Sequence, residues 1–348
     1  MSTSTFQPKT VLITGATGRQ GHAVIHHLSQ APYADNFRIL ALTRNASSAS
    51  AVGLKDLKNV EVVEGDLTKL ESIRPIFERE KERGGEGGGI WGVFTVIAYP
   101  GLGVDADGEQ SAGKNLATLS HEYQVQCFIY SGSDRAGEIY DDEARPHSSF
   151  WAKVAIERHI KELGKQGLKW TILRPTLFFE NYVGPFGGTT FEVFKAGVKP
   201  DTPVQLLTVD DMGRIVRGIF LDPEPYIHQI LVPCSDNLTF PQQEEIYKRA
   251  TGRSISNVPL GGVVGKSILK MNWYTREMVE FRQQTSAAIV EGKVPEFQSQ
   301  IDLATKALGP GEKWVSFEEW AKKTKGTDKE RTKNWNGVSL SGLLSGRA

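Results

Sequence analysis

Val11-Leu12-Ile13-Thr14 is a short apolar, β-rich run that leads directly into Gly15-Ala16-Thr17-Gly18-Arg19-Gln20-Gly21 and then into a helical pattern over Gln20–Gln30. No other feature constrains the chain so strongly. A buried strand that turns at once into a helix must bring its backbone round in a few residues. Side chains would obstruct both that turn and anything approaching it, and glycine at 15, 18 and 21 removes them. The helix start offers unpaired backbone N–H groups and the positive end of a dipole, which together suit an anion such as a pyrophosphate. Three spaced glycines alone are a weak signal. Between the first strand and the first helix of an alternating pattern, they predict a dinucleotide cradle in preference to a plain tight turn.

That alternation is present. Strand-like runs at Thr10–Thr14, Phe37–Thr43, Val60–Glu64, Gly92–Ala98, Gln126–Ser131 and Lys169–Arg174 are separated by helical patterns at Gln20–Gln30, Leu70–Glu82, Ser111–Tyr123 and Ser149–Leu163. Strands alternating with helices predict a parallel sheet covered on both faces, and the continuous apolar character of the runs agrees. The fold class is therefore α/β, a doubly wound parallel sheet of Rossmann type. Residues 9–175 are expected to form the nucleotide-binding domain, with room for sheet elements from later in the chain. Residues 176–325 read as a smaller, helix-rich substrate region, and 326–348 as a C-terminal extension. The smaller region carries helical segments at Phe240–Thr251, Tyr274–Val290 and Ser316–Lys323, plus one with an N-cap at Asp210 or Asp211. Ser316-Phe-Glu-Glu319 has the spacing of a capping box.

Composition narrows the partners. The 348 residues hold 41 Lys+Arg against 41 Asp+Glu, so the overall basicity that goes with strong nucleic-acid or anionic-membrane binding is missing. No apolar stretch approaches the roughly 18 residues of a membrane span. The start, Met1 to Lys9, lacks the apolar core of a secretion signal. Two cysteines, Cys127 and Cys234, are too few for a metal cluster or disulfide framework. A cytoplasmic protein is expected, with nuclear entry if it is regulatory. Glycine makes up about a tenth of the chain, above the usual share of roughly 7%. Part of the surplus lies in Gly84–Gly89, read as a surface spacer.

The end of the second strand selects the cofactor. An acidic residue there would grip the ribose 2′-hydroxyl of NAD. The chain has Leu42-Thr43-Arg44-Asn45 instead, and Arg44, joined by Arg19 from the glycine loop, suits a 2′-phosphate. NADP(H) is expected. After the third strand, Asp66 either accepts from the adenine amino group, with Leu67 along the ring, or caps the turn into the next helix.

These motifs resemble the NmrA-like family, a branch of the atypical short-chain dehydrogenase/reductases. The resemblance rests on Thr14-Gly-Ala-Thr-Gly-Arg-Gln-Gly21, Leu42-Thr-Arg-Asn45, Gly65-Asp-Leu67, Tyr130-Ser-Gly132 and Arg174-Pro-Thr-Leu-Phe-Phe-Glu-Asn181. It covers roughly residues 9 to 325 and is strongest in the first 185. The family includes fungal nitrogen-metabolite regulators, NADPH sensors, and reductases related to isoflavone reductase and to quinone reductases. The resemblance implies cofactor contacts at Gly15, Ala16, Thr17, Gly18, Arg19, Gln20 and Gly21, at Arg44 and Asn45, and at Asp66 and Leu67. It implies others at Ile97, Ala98, Tyr99 and Lys153, and at Phe178, Phe179, Glu180 and Asn181, which would border the nicotinamide.

Ordinary short-chain dehydrogenases place a Tyr four residues before a Lys on one helix face, where the ammonium assists the phenol as a proton donor. Lys153 holds the Lys position here, but Ser149 stands where the Tyr would be. Three readings follow: Lys153 is itself the donor, as the isoflavone-reductase relatives suggest; another hydroxyl serves, Tyr182 or Ser131; or Lys153 only binds the nicotinamide ribose. A plain Lys153–Glu157 pair on the helix surface is the simplest alternative. Phe178, Phe179, Tyr182 and Phe186 would form an apolar substrate wall or pack between the two regions.

Two functions are therefore expected as alternatives. One is an NADP(H)-dependent reductase of a small apolar carbonyl, enone or quinone. The other is a catalytically silent NADP(H) sensor acting through a regulatory protein partner such as a transcription factor. Neither involves direct nucleic-acid or membrane binding. No metal is expected: His22 and His26 lack further ligands, and Asp141-Asp142-Glu143 reads as a solvated acidic run.

Overall fold

The computed structural model describes residues 7–84, 88–101, 104–143, 147–184 and 186–324. Its first half follows the alternation of its sequence. Strands β1 (Lys9–Ile13), β2 (Phe37–Thr43), β3 (Val60–Glu64), β4 (Gly92–Val96), β5 (Cys127–Ser131) and β6 (Trp170–Leu173) are interleaved with helices α1 (Arg19–Leu28), α2 (Ala49–Val52), α3 (Leu70–Gly84), α4 (Asp107–Glu122) and α5 (Ser149–Lys165). The second half contributes β7 (Leu177–Phe178), α6 (Gly187–Gly197), β8 (Val204–Leu207), α7 (Val209–Leu221), β9 (Gln229–Leu231) and β10 (Asp236–Leu238). These are followed by α8 (Phe240–Thr251), α9 (Gly261–Met271), α10 (Trp273–Val290), α11 (Phe297–Leu308) and α12 (Phe317–Thr324).

Seven strands form one sheet in the order β3-β2-β1-β4-β5-β6-β9, and every pairing is parallel. Successive residues of β1 bury on opposite faces. Val11 and Ile13 pack with Val24, Ile25 and Leu28 of α1 and with Ile215 and Ile219 of α7. Leu12 packs with Ile73 and Phe77 of α3 and Ile156 of α5. Both faces are thus covered, which is why the strands read as unbroken apolar runs. Strand order reverses between β1 and β4, and a crevice opens there at the carboxyl ends of the strands, the usual ligand position of such sheets.

Several features differ from the sequence reading. The smaller region is helix-rich, and it also holds strands that its sequence does not reveal: β10, β8 and β7 make a second sheet, with β7 and β8 parallel and β10 antiparallel to β8. Its core gathers Phe179, Tyr182, Phe191, Phe240, Phe317 and Trp320. The chain also returns to the first sheet, where β9 extends the edge beside β6 and α7 and α11 join the core. Helix α7 is capped two or three residues earlier than expected: Thr208, not Asp210 or Asp211, is the N-cap, and its hydroxyl accepts from the Asp210 N–H at 3.1 Å. Asp211 is buried instead and accepts from the Val315 N–H at 3.2 Å. The capping box of α12 does form, with Glu319 N–H donating to Ser316 Oγ at 3.2 Å and Ser316 N–H to Glu319 Oε2 at 2.9 Å. Residues 85–87 of the glycine spacer and the extension 326–348 lie outside the described residues.

Candidate functional site

The glycine loop is shaped by backbone requirements. Gly15 has φ +58°, and a Cβ there would stand 2.7 Å from Val96 Cγ1. A Cβ on Gly21 would lie 2.2 Å from the Gly15 carbonyl oxygen, so α1 can approach β1 this closely only with glycine at that position. Gly21→Ala is expected to destabilise the fold by about 1–3 kcal/mol, read as a lower urea midpoint. Gly18 is the N-cap of α1 in extended conformation, and no side chain caps the helix start. The Thr14 hydroxyl closes the crevice from below, donating to the Val96 carbonyl at 3.1 Å and accepting from the Val96 N–H at 3.0 Å. These features fit a pyrophosphate: a side-chain-free cradle meets a helix N-terminus without a resident cap.

At the ends of β2 and β3, Arg44 is exposed. Asn45 Oδ1 accepts from the N–H and hydroxyl of Ser47 at 2.9 and 2.6 Å, which fixes the turn after Arg44. Asp66 accepts from Thr68 Oγ1 and N–H at 2.8 and 3.1 Å. These bonds, with Lys69 and Arg44 nearby, hold its carboxyl below the usual range. The same bonds make Asp66 part of the turn into α3. Asn115 Nδ2 donates to the Leu67 carbonyl at 3.1 Å and fixes the adjoining backbone.

Beside the cradle lies a cavity of about 970 Å³. Gln20, Ile97, Tyr99, Ser131, Lys153 and Asn181 line it on the sheet side, and α10 forms the opposite wall. Ser131 Oγ donates to Gln20 Oε1 at 2.7 Å, tying the glycine loop to the end of β5. Lys153 does not pair with Glu157. Its ammonium meets the carboxylate of Glu109 on α4 and donates to Ser149 Oγ at 3.1 Å, while Ser149 Oγ donates to Glu109 Oε2 at 2.6 Å. The i,i+4 face of the dehydrogenase dyad is thus built, with serine in the tyrosine position and a buried carboxylate as resident counter-ion.

Glu109 escaped the sequence reading, although a signal exists. It stands one turn before Ala112 and Gly113 and two before Leu116 on the buried face of α4, where an acid is out of place unless it has a partner. Glu157 is instead enclosed by two arginines. Arg135 donates Nη1 and Nη2 to it at 2.7 and 2.9 Å, and Arg174 Nη2 donates at 2.7 Å. Asp141, read as solvated, is buried and accepts from Arg135 Nε at 2.6 Å, because the turn after β5 folds it beneath the loop.

The loop after β7 also departs from expectation. The Phe179 ring is fully buried against Phe317 and Trp320, with centroids 5.1 and 5.4 Å away. Glu180 accepts from the Thr208 hydroxyl at 2.9 Å and the Val209 N–H at 3.1 Å, so its carboxylate serves the start of α7. Arg19 donates to the Glu180 carbonyl at 2.8 Å, bridging the glycine loop to this turn. Asn181 is the member of Phe178–Asn181 that lines the cavity; Phe178 packs against the main core. Tyr182 is not at the cavity. It is buried edge-on to Phe191 at 5.1 Å, and burial pushes its phenol well up, so it has no access to a substrate proton. Ile97 and Tyr99 line the cavity, whereas Ala98 between them does not.

A doubly wound parallel sheet, a glycine-rich loop at its switch point and a lysine-bearing helix beside an adjoining cavity define a Rossmann-type α/β fold. The model of the NmrA-like family matches residues 7–321, and the chain belongs to that family. The NmrA-like family domain-containing oxidoreductase hkm9 of Aspergillus hancockii is 28% identical over 267 residues, covering 72% of this chain and 75% of its own length. Oxidoreductase cpsB of Aspergillus campestris is 27% identical, over 71% and 74%. Among solved structures, NmrA, a negative transcriptional regulator in complex with NADP, has a TM-score of 0.63 at 21% identity, covering 94% of this chain and 99% of that one. The Citrobacter sp. triphenylmethane reductase complexed with NADP(H) has a TM-score of 0.59 at 20% identity, over 91% and 99%. At such identities the likeness is one of fold. No helix among the described residues is long and apolar enough to cross a membrane.

Proposed function

We propose that this chain binds NADP(H) at the glycine cradle and reduces a small apolar acceptor in the adjoining cavity, with carbonyls, enones and quinones the first to test. The observation that carries the reading is the constructed Glu109–Lys153–Ser149 cluster in the cavity wall beside the cradle. Bound there, the reduced nicotinamide supplies a hydride. The chain's own residues do the rest. Gly15 to Gly21 receive the pyrophosphate, Arg44 meets the 2′-phosphate, Lys153 holds the nicotinamide ribose, and Asn181 borders the ring. Tyr99 and α10 enclose the acceptor and limit water. The curated relatives are named oxidoreductases, which supports the same reading.

One observation favours the second function, a silent NADP(H) sensor acting through a protein partner. Ser149 is a poor acid, and the Lys153 ammonium is already engaged by a carboxylate. NADPH consumption across quinones, enones and aldehydes separates the two. For the reductase, Lys153→Ala lowers kcat on an active enone by on the order of 100-fold and raises KM for NADPH by about 10-fold. If nothing is turned over and Lys153→Ala lowers only cofactor affinity, the sensor function holds.

A further inference from the structure

Reduction of a neutral carbonyl needs a proton as well as a hydride, and the dyad position offers none freely. Tyr182 is walled off in the second core, Ser149 already donates to Glu109, and Lys153 is held by the same carboxylate. Another carboxyl on the cavity wall is placed differently. Asp134 lies three residues past the end of β5, where its backbone N–H donates to the Pro175 carbonyl at 2.9 Å. It lines the cavity and is only 2% exposed. Its Oδ1 accepts from the Ala136 N–H at 3.2 Å, but its Oδ2, fully buried, has no hydrogen-bond partner among the described residues.

Arg282 reaches towards it from α10, the opposite wall. Its Nη1 stands 3.7 Å from Asp134 Oδ2, too far for a hydrogen bond, and is likewise buried and unpartnered among the described residues. Two such atoms side by side are costly, and a ligand oxygen that bonds to both removes the cost. The surrounding charges leave room for a proton. Arg135 and Arg174 also act on Asp134, but Glu157, Asp141 and Glu138 already hold them. The neighbouring Cys234 thiol is pushed up to about 12 by burial and stays neutral. Burial therefore outweighs the pull of Arg282 and the other two arginines, and raises the Asp134 carboxyl above its ordinary value. A buried carboxyl kept neutral is a hydrogen-bond donor and an acid.

We propose that Asp134 and Arg282 together receive the carbonyl oxygen of the acceptor, and that Asp134 gives it the proton. This rests on the reductase reading above. Arg282 turns aside to admit the oxygen and donates to it. The carbonyl carbon takes up the hydride and a C–H bond forms there. The C=O π pair moves to oxygen, which forms a new O–H bond as the O–H bond of Asp134 breaks. The carbonyl is reduced by two electrons to an alcohol, the nicotinamide is oxidised by two, and Asp134 is left as a carboxylate beside Arg282. Water at the cavity mouth returns the proton.

The test compares 2-naphthaldehyde with 1,4-naphthoquinone, which is of similar size but whose reduced form is a stable phenolate that needs little help from an acid. Asp134→Asn keeps the shape of the side chain and removes the acid. The ratio of its kcat on the aldehyde to that on the quinone is expected to fall about 100-fold. The protonated carboxyl is the active form, so wild-type kcat on the aldehyde should fall as pH rises above the ordinary carboxylate range. Asp134→Asn should lose that limb. Arg282→Met removes a cation that favours the charged carboxylate, and should move the limb to higher pH. Melting temperatures report whether each variant folds, and if Asp134→Asn does not, the moved limb in Arg282→Met decides. An unchanged ratio and pH profile in Asp134→Asn, an unmoved limb in Arg282→Met, or a wild type that reduces the quinone but not the aldehyde overturns the proposal and leaves the reductase reading standing. If neither acceptor is reduced while NADPH is bound, both fail together.

Discussion

Replacing Arg44 with alanine is expected to weaken NADPH binding about 10- to 100-fold while leaving NADH binding within about 2-fold. The expectation follows from where β2 ends. Ser47 donates twice to Asn45 and fixes the turn, so Arg44 stands just past the end of β2, the strand beside β1, exposed and close enough to act on Asp66. A guanidinium there has a 2′-phosphate to bind in one cofactor and nothing of comparable charge in the other. Arg19, the second arginine of the sequence argument, reaches the Glu180 carbonyl, so most of the discrimination falls on Arg44. Calorimetric titration of wild type and variant with both cofactors measures it. Equal losses for NADPH and NADH would remove Arg44 from the 2′-phosphate.

Glu157→Ala is expected to destabilise the fold strongly, by about 3–5 kcal/mol. Glu157 is buried between Arg135 and Arg174, each also buried, and without it two guanidinium groups share no central carboxylate. Arg135 retains Asp141, and Arg174 retains Glu138 and the Gly137 carbonyl, so the loss falls short of total unfolding. The same network makes stability depend on acid. Burial opposes the charge on Glu157, but the two arginines prevail and hold its carboxyl down at about 2. Its folded value lies below its unfolded one. The stabilisation is therefore complete above the ordinary carboxylate range and drains away as pH falls from about 4.5 towards 2. Urea midpoints across that range should fall more steeply for wild type than for Glu157→Gln. Parallel curves would contradict the assignment.

The parts of this molecule most legible in its sequence are those where backbone geometry admits few residues. Gly15 and Gly21 announce the cradle because a Cβ at either position collides with β4 or with the loop itself. The strands β1 to β6 announce the sheet because both faces are buried, which leaves continuous apolar runs. The seventh strand does not, since Gln229–Leu231 is three residues long and depends on β6 for its existence. The second sheet is hidden for the same reason.

Polar side chains are less legible, because their partners come from distant parts of the chain. Glu109 meets Lys153 across 44 residues, and Glu180 meets Thr208 across 28. The Phe179 ring and Glu180 carboxylate lie in a cofactor motif yet serve the second core and the start of α7. A motif fixes the course of the backbone, and which way each side chain turns is decided by what packs behind it.

In the proposed function a hydride passes from the bound nicotinamide to an acceptor in the cavity beside Lys153. NADPH carrying deuterium at the transferable position, incubated with the protein and a panel containing an enone, a quinone and an aldehyde, tests this directly through the mass of the recovered products. The prediction is that at least one carbon acceptor gains deuterium on carbon, above the level in free solution, and that Lys153→Ala at saturating cofactor sharply slows its appearance. Unlabelled, unreduced acceptors recovered from protein with NADPH demonstrably bound would contradict it.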